Sequence, residues 1–335
     1  MHFILRSPAR IHMSLLDLNG SLGRIDGGLG FGLENPHFEI EFSDNDAKPP
    51  SFQGDPEFHE LFKSVYALLQ KRFQIPENQI SVKMLNTMPL HIGFGSKTQL
   101  LLSFAQGICK IFQKEVSVGE LTGLINRGGT SGIGYQVFEK GGFFVDLGHS
   151  FGPQGEKITM TPSSNSKAPP ALPFYHVDFP KQWKIFLIIP DVLPGASNQE
   201  EVDIFQHYTP INQDSIEKIS HHLLFQLIPS LLTQDLPALA DAVHFINSHG
   251  FKHIEISLQH PIIRYIIHEI YEAEHLPVGM SSFGPLIYVI ADQTHSFTDF
   301  QQKVENFVVK FPNPPKLTFM ETSPNNSGYL IEHLP

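Results

Sequence analysis

The stretch Pro89-Leu90-His91-Ile92-Gly93-Phe94-Gly95-Ser96-Lys97-Thr98-Gln99 decides how this chain is read. Two glycines and a run of hydroxyl and ammonium donors precede an apolar segment, which predicts a turn opening a helix over Thr98–Phe112. Glycine lets the backbone approach a ligand closely, and a helix N-terminus offers unpaired N–H groups and a partial positive charge. Such a turn can cradle phosphate, with Ser96, Lys97 and Thr98 as side-chain donors. A plain tight turn with a good N-cap would use the same residues. It is not a Walker A loop, which needs glycine where His91 and Ser96 stand.

Three further glycine clusters flank it. The segment Asp17 to Gly28 mixes backbone-permissive positions with Asp17, Asn19, Arg24 and Asp26, a composition open to a ligand loop or to a flexible one. Its continuation Gly28-Leu29-Gly30-Phe31-Gly32 lacks the spacing of a dinucleotide fingerprint. The third cluster, Arg127 to Gly134, sets one guanidinium beside Thr130 and Ser131. The fourth, Gly279-Met280-Ser281-Ser282-Phe283-Gly284-Pro285, precedes an apolar strand.

Between the clusters, the patterning alternates irregularly between helix and strand. Phe3 to His12 reads as a strand broken by Pro8. Helices are expected over Pro56–Phe73, over Val116–Asn126 with Ser117 as N-cap, and near 213–227, 235–248, 261–274 and 298–311. Strands are expected over 37–42, 80–85, 142–146, 183–190, 286–291 and 317–321. No regular β-α repeat appears, so the expected class is α+β. With 335 residues, two domains are expected on a prior of roughly 150 each. The Pro-, Ser- and Lys-rich segment 152–173 is the expected junction, dividing the chain into 1–160 and 161–335.

Composition narrows the function classes. The chain has 34 Asp and Glu against 23 Lys and Arg, a formal charge of −11, and 41% hydrophobic residues. That can fill a core and excludes wholesale disorder. The acidic surplus argues against a general nucleic-acid binder. A single cysteine, Cys109, excludes an intrachain disulfide framework and a Cys-based zinc cluster; in its apolar run it reads as a buried thiol. No apolar run is long enough to span a membrane, and Arg6 and Arg10 interrupt any leader-like segment, so the expected compartment is the cytoplasm. Among the 18 histidines, His244, His249 and His253 lack the carboxylate frame of a metal site and read as surface or capping residues. No nucleophile elbow or zincin motif occurs.

Taken together, the four clusters in this order resemble the GHMP kinase superfamily, whose second motif Pro-x-x-x-Gly-Leu-Gly-Ser-Ser appears here as Pro89 to Lys97. More specifically, Ser7-Pro8-Ala9-Arg10-Ile11-His12, Asp17 to Gly28, Arg127 to Gly134, Gly279 to Pro285 and Thr322 to Asn326 look like the β-ribofuranosylaminobenzene 5′-phosphate synthase branch. Kinases of the superfamily commonly carry Ser-Gly-x-Asp in the third cluster. Here it reads Ser131-Gly132-Ile133-Gly134, without the carboxylate, and Lys97 replaces the second Ser of the phosphate motif.

The resemblance implies a two-domain GHMP fold, ribosomal-protein-S5-like in the N-terminal half and ferredoxin-like in the C-terminal half, with the site between them. It implies a decarboxylating transfer of phosphoribosyl diphosphate onto a 4-amino- or 4-hydroxybenzoate, with Mg²⁺ as cofactor, in a homodimer that binds neither nucleic acid nor membrane. The alternatives are an ATP-dependent small-molecule kinase and a non-catalytic ligand-binding homologue. Expected roles follow. Gly93, Gly95, Ser96, Lys97, Thr98 and Gln99 hold phosphate. Arg10 and Arg127 pair with phosphate or carboxylate. Asp17, Asp26 or Asp146 holds Mg²⁺, the first two being the leading ligands, or faces the sugar cation. His12 and His149 orient hydroxyl or ring substituents. Asn19, Arg24, Gly128, Gly129, Thr130, Ser131, Ser281 and Ser282 complete the substrate contacts.

Overall fold

The computed structural model describes residues 1–44, 50–76, 80–163, 165–193 and 199–335. Its frame is a long antiparallel ribbon of β1 (His2–Asp17) and β2 (Arg24–Asp44). Pro8 does not break β1 as expected. It sits where the β1–β2 register shifts between Pro8 and Ala9, so the N–H it lacks falls at an interruption of the ladder. The second glycine-rich segment is also not one loop. Only residues 18–23 turn, and Gly27, Gly28, Gly30 and Gly32 are strand residues of β2.

The first sheet grows from that ribbon. It adds β3 (Ser51–Gln53), then α1 (Pro56–Phe73) leads to β4 (Ile80–Asn86), which pairs with the far half of β2. Helices α2 (Ser96–Ile111), α3 (Val118–Leu124) and α4 (Ile133–Lys140) follow. Ser117 caps α3 as expected, accepting from the Glu120 N–H at 3.2 Å. The near half of β2 pairs with β5 (Phe143–Asp146) and β6 (His149–Ser150), and β5 pairs with β7 (Pro173–Val177).

The second sheet begins with β8 (Lys184–Pro190), followed by the helices α5 (Gln199–Tyr208), α6 (Gln213–His222), α7 (Ile228–Thr233), α8 (Leu236–Asn247), α9 (Gly250–Leu258) and α10 (Pro261–Glu274). A π-helical turn at Leu223–Leu227 joins α6 to α7. Then come β9 (Val278–Met280), β10 (Ile287–Ala291), α11 (Phe297–Val308) and β11 (Leu317–Thr322). The sheet order β11-β8-β10-β9 is antiparallel throughout. First-fourth and first-third strand pairing with helical crossovers is the ferredoxin-like pattern. The class is α+β, as the patterning predicted.

Sheet membership draws the domain line differently from 160/161. Strand β7 pairs with β5, and the final strand β12 (Leu330–His333) returns to pair with β1, so the first layer holds the chain on both sides of the second sheet. The segment 152–173, of which residue 164 lies outside the described residues, therefore runs within the first layer rather than between two bodies. Buried side chains of both sheets form one continuous core, including Phe31, Phe179 and Tyr288. Phe31 stacks on Phe179 with centroids 4.4 Å apart and meets Tyr288 edge-on at 5.8 Å.

Gly30 shows why β2 is glycine-rich. A Cβ there would lie 2.1 Å from the Ile11 carbonyl oxygen and 2.8 Å from Ile133 at the start of α4. Backbone atoms cannot move away as a flexible side chain can, so Gly30→Ala should destabilise the fold by about 3 kcal/mol or more, at the upper end of overpacking costs. Urea midpoints of the two proteins check this, and an unchanged midpoint would show that the ribbon has slack there.

Candidate active site

Two adjoining hollows, about 220 and 170 Å³, open where the first layer meets the helices of the second. They share Arg10, Lys97, Thr98 and Arg127 as common walls. The smaller is lined by the quoted glycine turn, Gly93, Gly95 and Ser96 among it. Phe283 borders both, and the larger adds His12, Gly128, Thr130, Ser131 and the apolar surfaces of Leu15, Tyr135 and Phe205.

Helix α2 starts at the floor of the smaller hollow. Gly95 is its N-cap at φ 70°, a left-handed conformation that glycine adopts at little cost. The first-turn amides of Ser96 and Lys97 precede any i−4 acceptor in the helix and so suit an anion. Ser96 spends its hydroxyl on the Pro89 carbonyl, closing the turn, whereas exposed Lys97 and half-buried Arg127 supply charge. Arg127 Nε donates to Thr98 Oγ1 at 3.0 Å. The guanidinium of Arg10 lies over Gly95, where a Cβ would approach its Cγ and Nε to 2.8 Å. Arg10 Nη1 donates to the Gly93 carbonyl at 2.8 Å, so the arginine and the turn hold each other.

Strand β1 delivers Arg10 and His12 to this place because its second edge is used by other segments. Arg10 N donates to the Phe94 carbonyl at 3.0 Å. A second register shift lies between His12 and Ser14. There His12 N donates to Ser281 Oγ at 3.0 Å, and Ser282 N donates to the His12 carbonyl at 3.1 Å. A bulge re-aims a side chain, as it often does beside active sites.

The electrostatics are cationic and dry. Burial lowers the Arg10 pKa to about 10, and neighbouring Arg127 adds to the shift while Glu255 opposes it. Burial likewise lowers Arg127, with Glu201 opposing. His12 is held well below the usual histidine range, first by burial and then by the positive charges of Arg10 and Lys252. It is a neutral imidazole at pH 7, and its Nδ1 is buried without a hydrogen-bond partner. Glu255 lines the larger hollow from α9 and pairs with Lys252, which is fully buried and donates to the Met280 carbonyl at 3.1 Å.

Sequence comparison places the chain among known proteins. It is 38% identical over 299 residues to the β-ribofuranosylphenol 5′-phosphate synthase of Methanocaldococcus jannaschii, covering 87% of this chain and 90% of that one. The synthase of the same name from Methanothermobacter thermautotrophicus is 36% identical over 298 residues, covering 88% and 90%. The chain belongs to the β-ribofuranosylphenol 5′-phosphate synthase family. Comparison with protein-family models gives no match. Among solved structures, homoserine kinase from Cytophaga hutchinsonii superposes with a TM-score of 0.66 at 15% identity, over 99% of this chain and 97% of that one. Phosphomevalonate kinase from Streptococcus pneumoniae gives 0.63 at 10% identity over 100% of both. At that identity the likeness shows the fold, which is that of GHMP kinases.

In this synthase-family chain the expected site residues fall into two groups. Arg10, His12, Gly93, Gly95, Ser96, Lys97, Thr98, Arg127, Gly128, Thr130, Ser131 and Ser282 line the hollows. The others stand behind or beside them. Ser281 holds the β1 bulge and donates to the Gly93 carbonyl at 2.7 Å. Gln99 is fully buried, accepting from Ser7 Oγ at 3.1 Å and donating to the Gly134 carbonyl at 2.7 Å. Gly129 packs against Ser166. Asn19 donates to the Ile211 carbonyl at 2.7 Å, and Arg24 donates to the carbonyls of Leu147 and Gly148 at 3.1 Å each. Asp146 accepts from Gly132 N at 2.8 Å and Gly148 N at 3.0 Å, and burial raises its pKa to about 7 against those two bonds.

Asp17 and Asp26, the expected Mg²⁺ ligands, do not fit that role. Asp26 is enclosed by His149 Nδ1 at 2.7 Å and Lys157 Nζ at 2.9 Å. His149 is thereby occupied as well, its Nε2 lying 2.8 Å from the Pro169 carbonyl. Asp17 Oδ1 accepts from the backbone of Asn19 and Gly20 in the turn, at 2.7 and 3.1 Å. Neither Asp lines the hollows. Among the described residues no group of three His, Cys, Asp or Glu is gathered for a metal. The carboxylates that do reach the larger hollow are Glu201 and Glu255. Mg²⁺ commonly needs only one or two carboxylates besides substrate phosphates and water. Glu255 is itself held by Lys252, so it is the position of Glu201 and Glu255 on the hollow, not an unpaired charge, that fits them to Mg²⁺ where Asp17 and Asp26 do not.

Glu201, Glu255, Lys252 and Tyr135 escaped the sequence reading. One signal was present. Phe251, Lys252, Glu255 and Ile256 share the buried face of α9, so two charges occupy positions where helical periodicity calls for apolar side chains.

Two outcomes follow. Gly95→Ala places a Cβ against Arg10 and forces alanine into a left-handed cap, which costs about 1–2 kcal/mol in stability; turnover should fall at least tenfold because the guanidinium is displaced. Steady-state rates and a thermal melt read both. For His12, the unfolded chain takes up a proton near pH 6.5 while the fold does not until well below that. The unfolded state therefore binds more protons in that window, and stability is lost as pH falls below 6.5, at no more than about 1.4 kcal/mol per pH unit. The difference between wild type and His12→Gln in urea midpoints at pH 7.5 and 5.5 isolates this contribution.

Proposed function

We propose that the chain joins 5-phosphoribosyl 1-diphosphate to a 4-substituted benzoate, releasing diphosphate and carbon dioxide, as a cytoplasmic step in methanopterin-type folate synthesis. The observation that carries this reading is the pair of hollows joined at Arg10 and Arg127. One sets Arg10, Lys97 and Arg127 against a single carboxylate, Glu201, over a helix N-terminus, and is suited to diphosphate. The other is walled by Leu15, Tyr135, Phe205 and Phe283 around a neutral histidine, suited to a flat ring. The curated relatives' names specify a phenol, which favours 4-hydroxybenzoate over 4-aminobenzoate as acceptor.

Roles follow from the geometry. As the C1–O bond of the donor breaks, negative charge builds on the diphosphate, opposed by the amides of Ser96 and Lys97 and by Arg10, Arg127 and the Lys97 ammonium. The apolar wall keeps water from the cationic sugar carbon. The ring carbon bearing the carboxylate attacks C1, and departure of carbon dioxide with its bonding electrons left in the ring restores aromaticity. His12, neutral at pH 7, accepts the 4-hydroxyl proton as electron density moves into the ring and returns it afterwards. Mg²⁺, with Glu201 and Glu255 as its protein ligands, would supply further positive charge against the leaving group. The proposal includes a homodimer, for which a light-scattering mass near twice 37.6 kDa is the check. No helix among the described residues is long and apolar enough to cross a membrane.

Incubation with phosphoribosyl diphosphate and carboxyl-labelled 4-hydroxybenzoate should release labelled carbon dioxide. ATP-dependent phosphate transfer without that release would overturn the reading in favour of a kinase. Arg127→Ala should lower turnover about a hundredfold, the size expected when one group opposing developing charge is removed. Near-wild-type turnover in the folded variant would remove Arg127 from the chemistry.

A further inference from the structure

The segment 152–173 reads in sequence as a spacer, yet it builds part of the larger hollow. Pro162 and Ser163 line that hollow beside Thr130 and Ser131. Among its described residues, Lys157, Thr161, Ser166 and Ala171 lie against the third glycine cluster. Ala171 N donates to the Gly128 carbonyl at 2.9 Å, Tyr135 Oη donates to the Ala171 carbonyl at 2.9 Å, and a Cβ at Gly129 would lie 2.6 Å from Ser166 Oγ.

One residue of this strap is a buried cation. Lys157 is 5% exposed, and its ammonium donates to Asp26 at 2.9 Å, to the carbonyls of Gly129 and Thr161 at 3.1 Å each, and to Thr130 Oγ1 at 3.3 Å. The Thr130 hydroxyl itself donates to the Thr161 carbonyl at 2.8 Å. One ammonium thus ties together β2, the glycine cluster and the strap. A buried charge pair is a weak source of stability compared with an apolar replacement, but it fixes one arrangement of the groups around it.

We propose that Lys157 is a positioning residue for substrate binding: its ammonium clips the strap at Lys157 and Thr161 to Asp26 and to the Gly129–Thr130 backbone, setting the wall of the larger hollow against which the ring substrate lies. This rests on the reading of the larger hollow as the site of the ring. The clip makes no contact with the reacting atoms, so its loss should act on binding before turnover.

The test separates that role from a merely structural one. Lys157→Met leaves Asp26 buried with His149 as its remaining partner and without the ammonium charge, so its melting temperature should fall. The double variant Lys157→Met/Asp26→Asn removes both charges. Asn keeps an acceptor for His149, and it tolerates the left-handed backbone at this position, where φ is 70°. Its melting temperature should return towards wild type. Titration calorimetry with 4-hydroxybenzoate, in the presence of inorganic diphosphate and Mg²⁺, should nevertheless show binding at least tenfold weaker in the double variant than in wild type, with the acceptor KM raised in proportion and kcat within about threefold. Recovery of both melting temperature and 4-hydroxybenzoate affinity would overturn the proposal, leaving Lys157 a structural counter-ion. Failure of the wild-type chain to bind 4-hydroxybenzoate would instead sink the reading of the larger hollow, and the Lys157 role with it. Hydrogen exchange on the wild-type chain is a second measurement that needs no variant. 4-Hydroxybenzoate should slow exchange of the Ser166, Ala168 and Ala171 amides, and unchanged exchange there would also overturn the proposal.

Discussion

The β1–β2 ribbon is the constraint on which the rest of the structure depends. One edge of β1 is taken by β2 along its whole length, apart from two register shifts. Its other edge is shared out in order: β12 takes residues 3–6, the phosphate turn takes Arg10 through Phe94, and the Ser281–Ser282 turn of the second sheet takes His12. Buried backbone groups must find partners, so each of these segments is fixed in place by the same strand. Arg10 and His12 are brought to the meeting point of two sheets because the hydrogen bonds of their own backbone are what join the sheets there.

That arrangement also settles where charge can sit. The chain as a whole is acidic, yet Arg10, Arg127 and Lys252 are drawn into or behind one cavity, and among the described residues only the carboxylates of Glu201 and Glu255 face them there. Buried like charges raise the free energy of the empty site, as the lowered pKa values of Arg10 and Arg127 record. An anionic ligand relieves that repulsion, so in the proposed reaction that relief becomes binding energy for the diphosphate. Net charge excludes a class of partner by long-range repulsion and says nothing about a pocket whose field is set within a few ångströms.

Much of the fold was legible because its signals are local. The helix of Pro56–Phe73 shows its apolar stripe, Ser117 announces an N-cap, and Pro89–Gln99 announces a turn feeding a helix. What was not legible depends on contacts distant in sequence. Pro8 reads as a strand breaker unless the register shift opposite it is known. The glycines of β2 read as a loop unless Ile11 and Ile133 are seen pressing on Gly30. The 152–173 segment reads as a linker because Pro and Ser are common in linkers, whereas here they line a cavity and cover a glycine cluster. The acidic residues Asp17 and Asp26 attract attention as metal ligands in sequence, and only the structure shows one committed to a turn and the other to Lys157 and His149. The candidate site is legible in Pro89–Gln99, in Arg127–Gly134 and in Arg10, and opaque where α5 and α9 supply side chains from a helical layer without glycine punctuation.

Gly134 shows how a kinase fold can serve a different transfer. Kinases of this fold commonly place an aspartate at this point to act on a hydroxyl or a metal. In this chain α4 begins here, and a Cβ at Gly134 would press to 3.1 Å on Thr98 Cγ2 in the first turn of α2. Without a side chain at 134, the N-terminal ends of two helices stand side by side over the same cavity, with Arg127 bonded to Thr98 between them. A carboxylate at that point would add a negative charge where two helix dipoles and a guanidinium converge, weakening the field that a departing diphosphate requires. A kinase needs a base near its nucleophile because an alcohol must lose a proton to attack. An electron-rich ring attacking a sugar cation has no such requirement at the phosphate side. Exchanging the acid for glycine therefore removes a group the proposed reaction does not use and strengthens the one interaction it cannot do without, the grip on the leaving group.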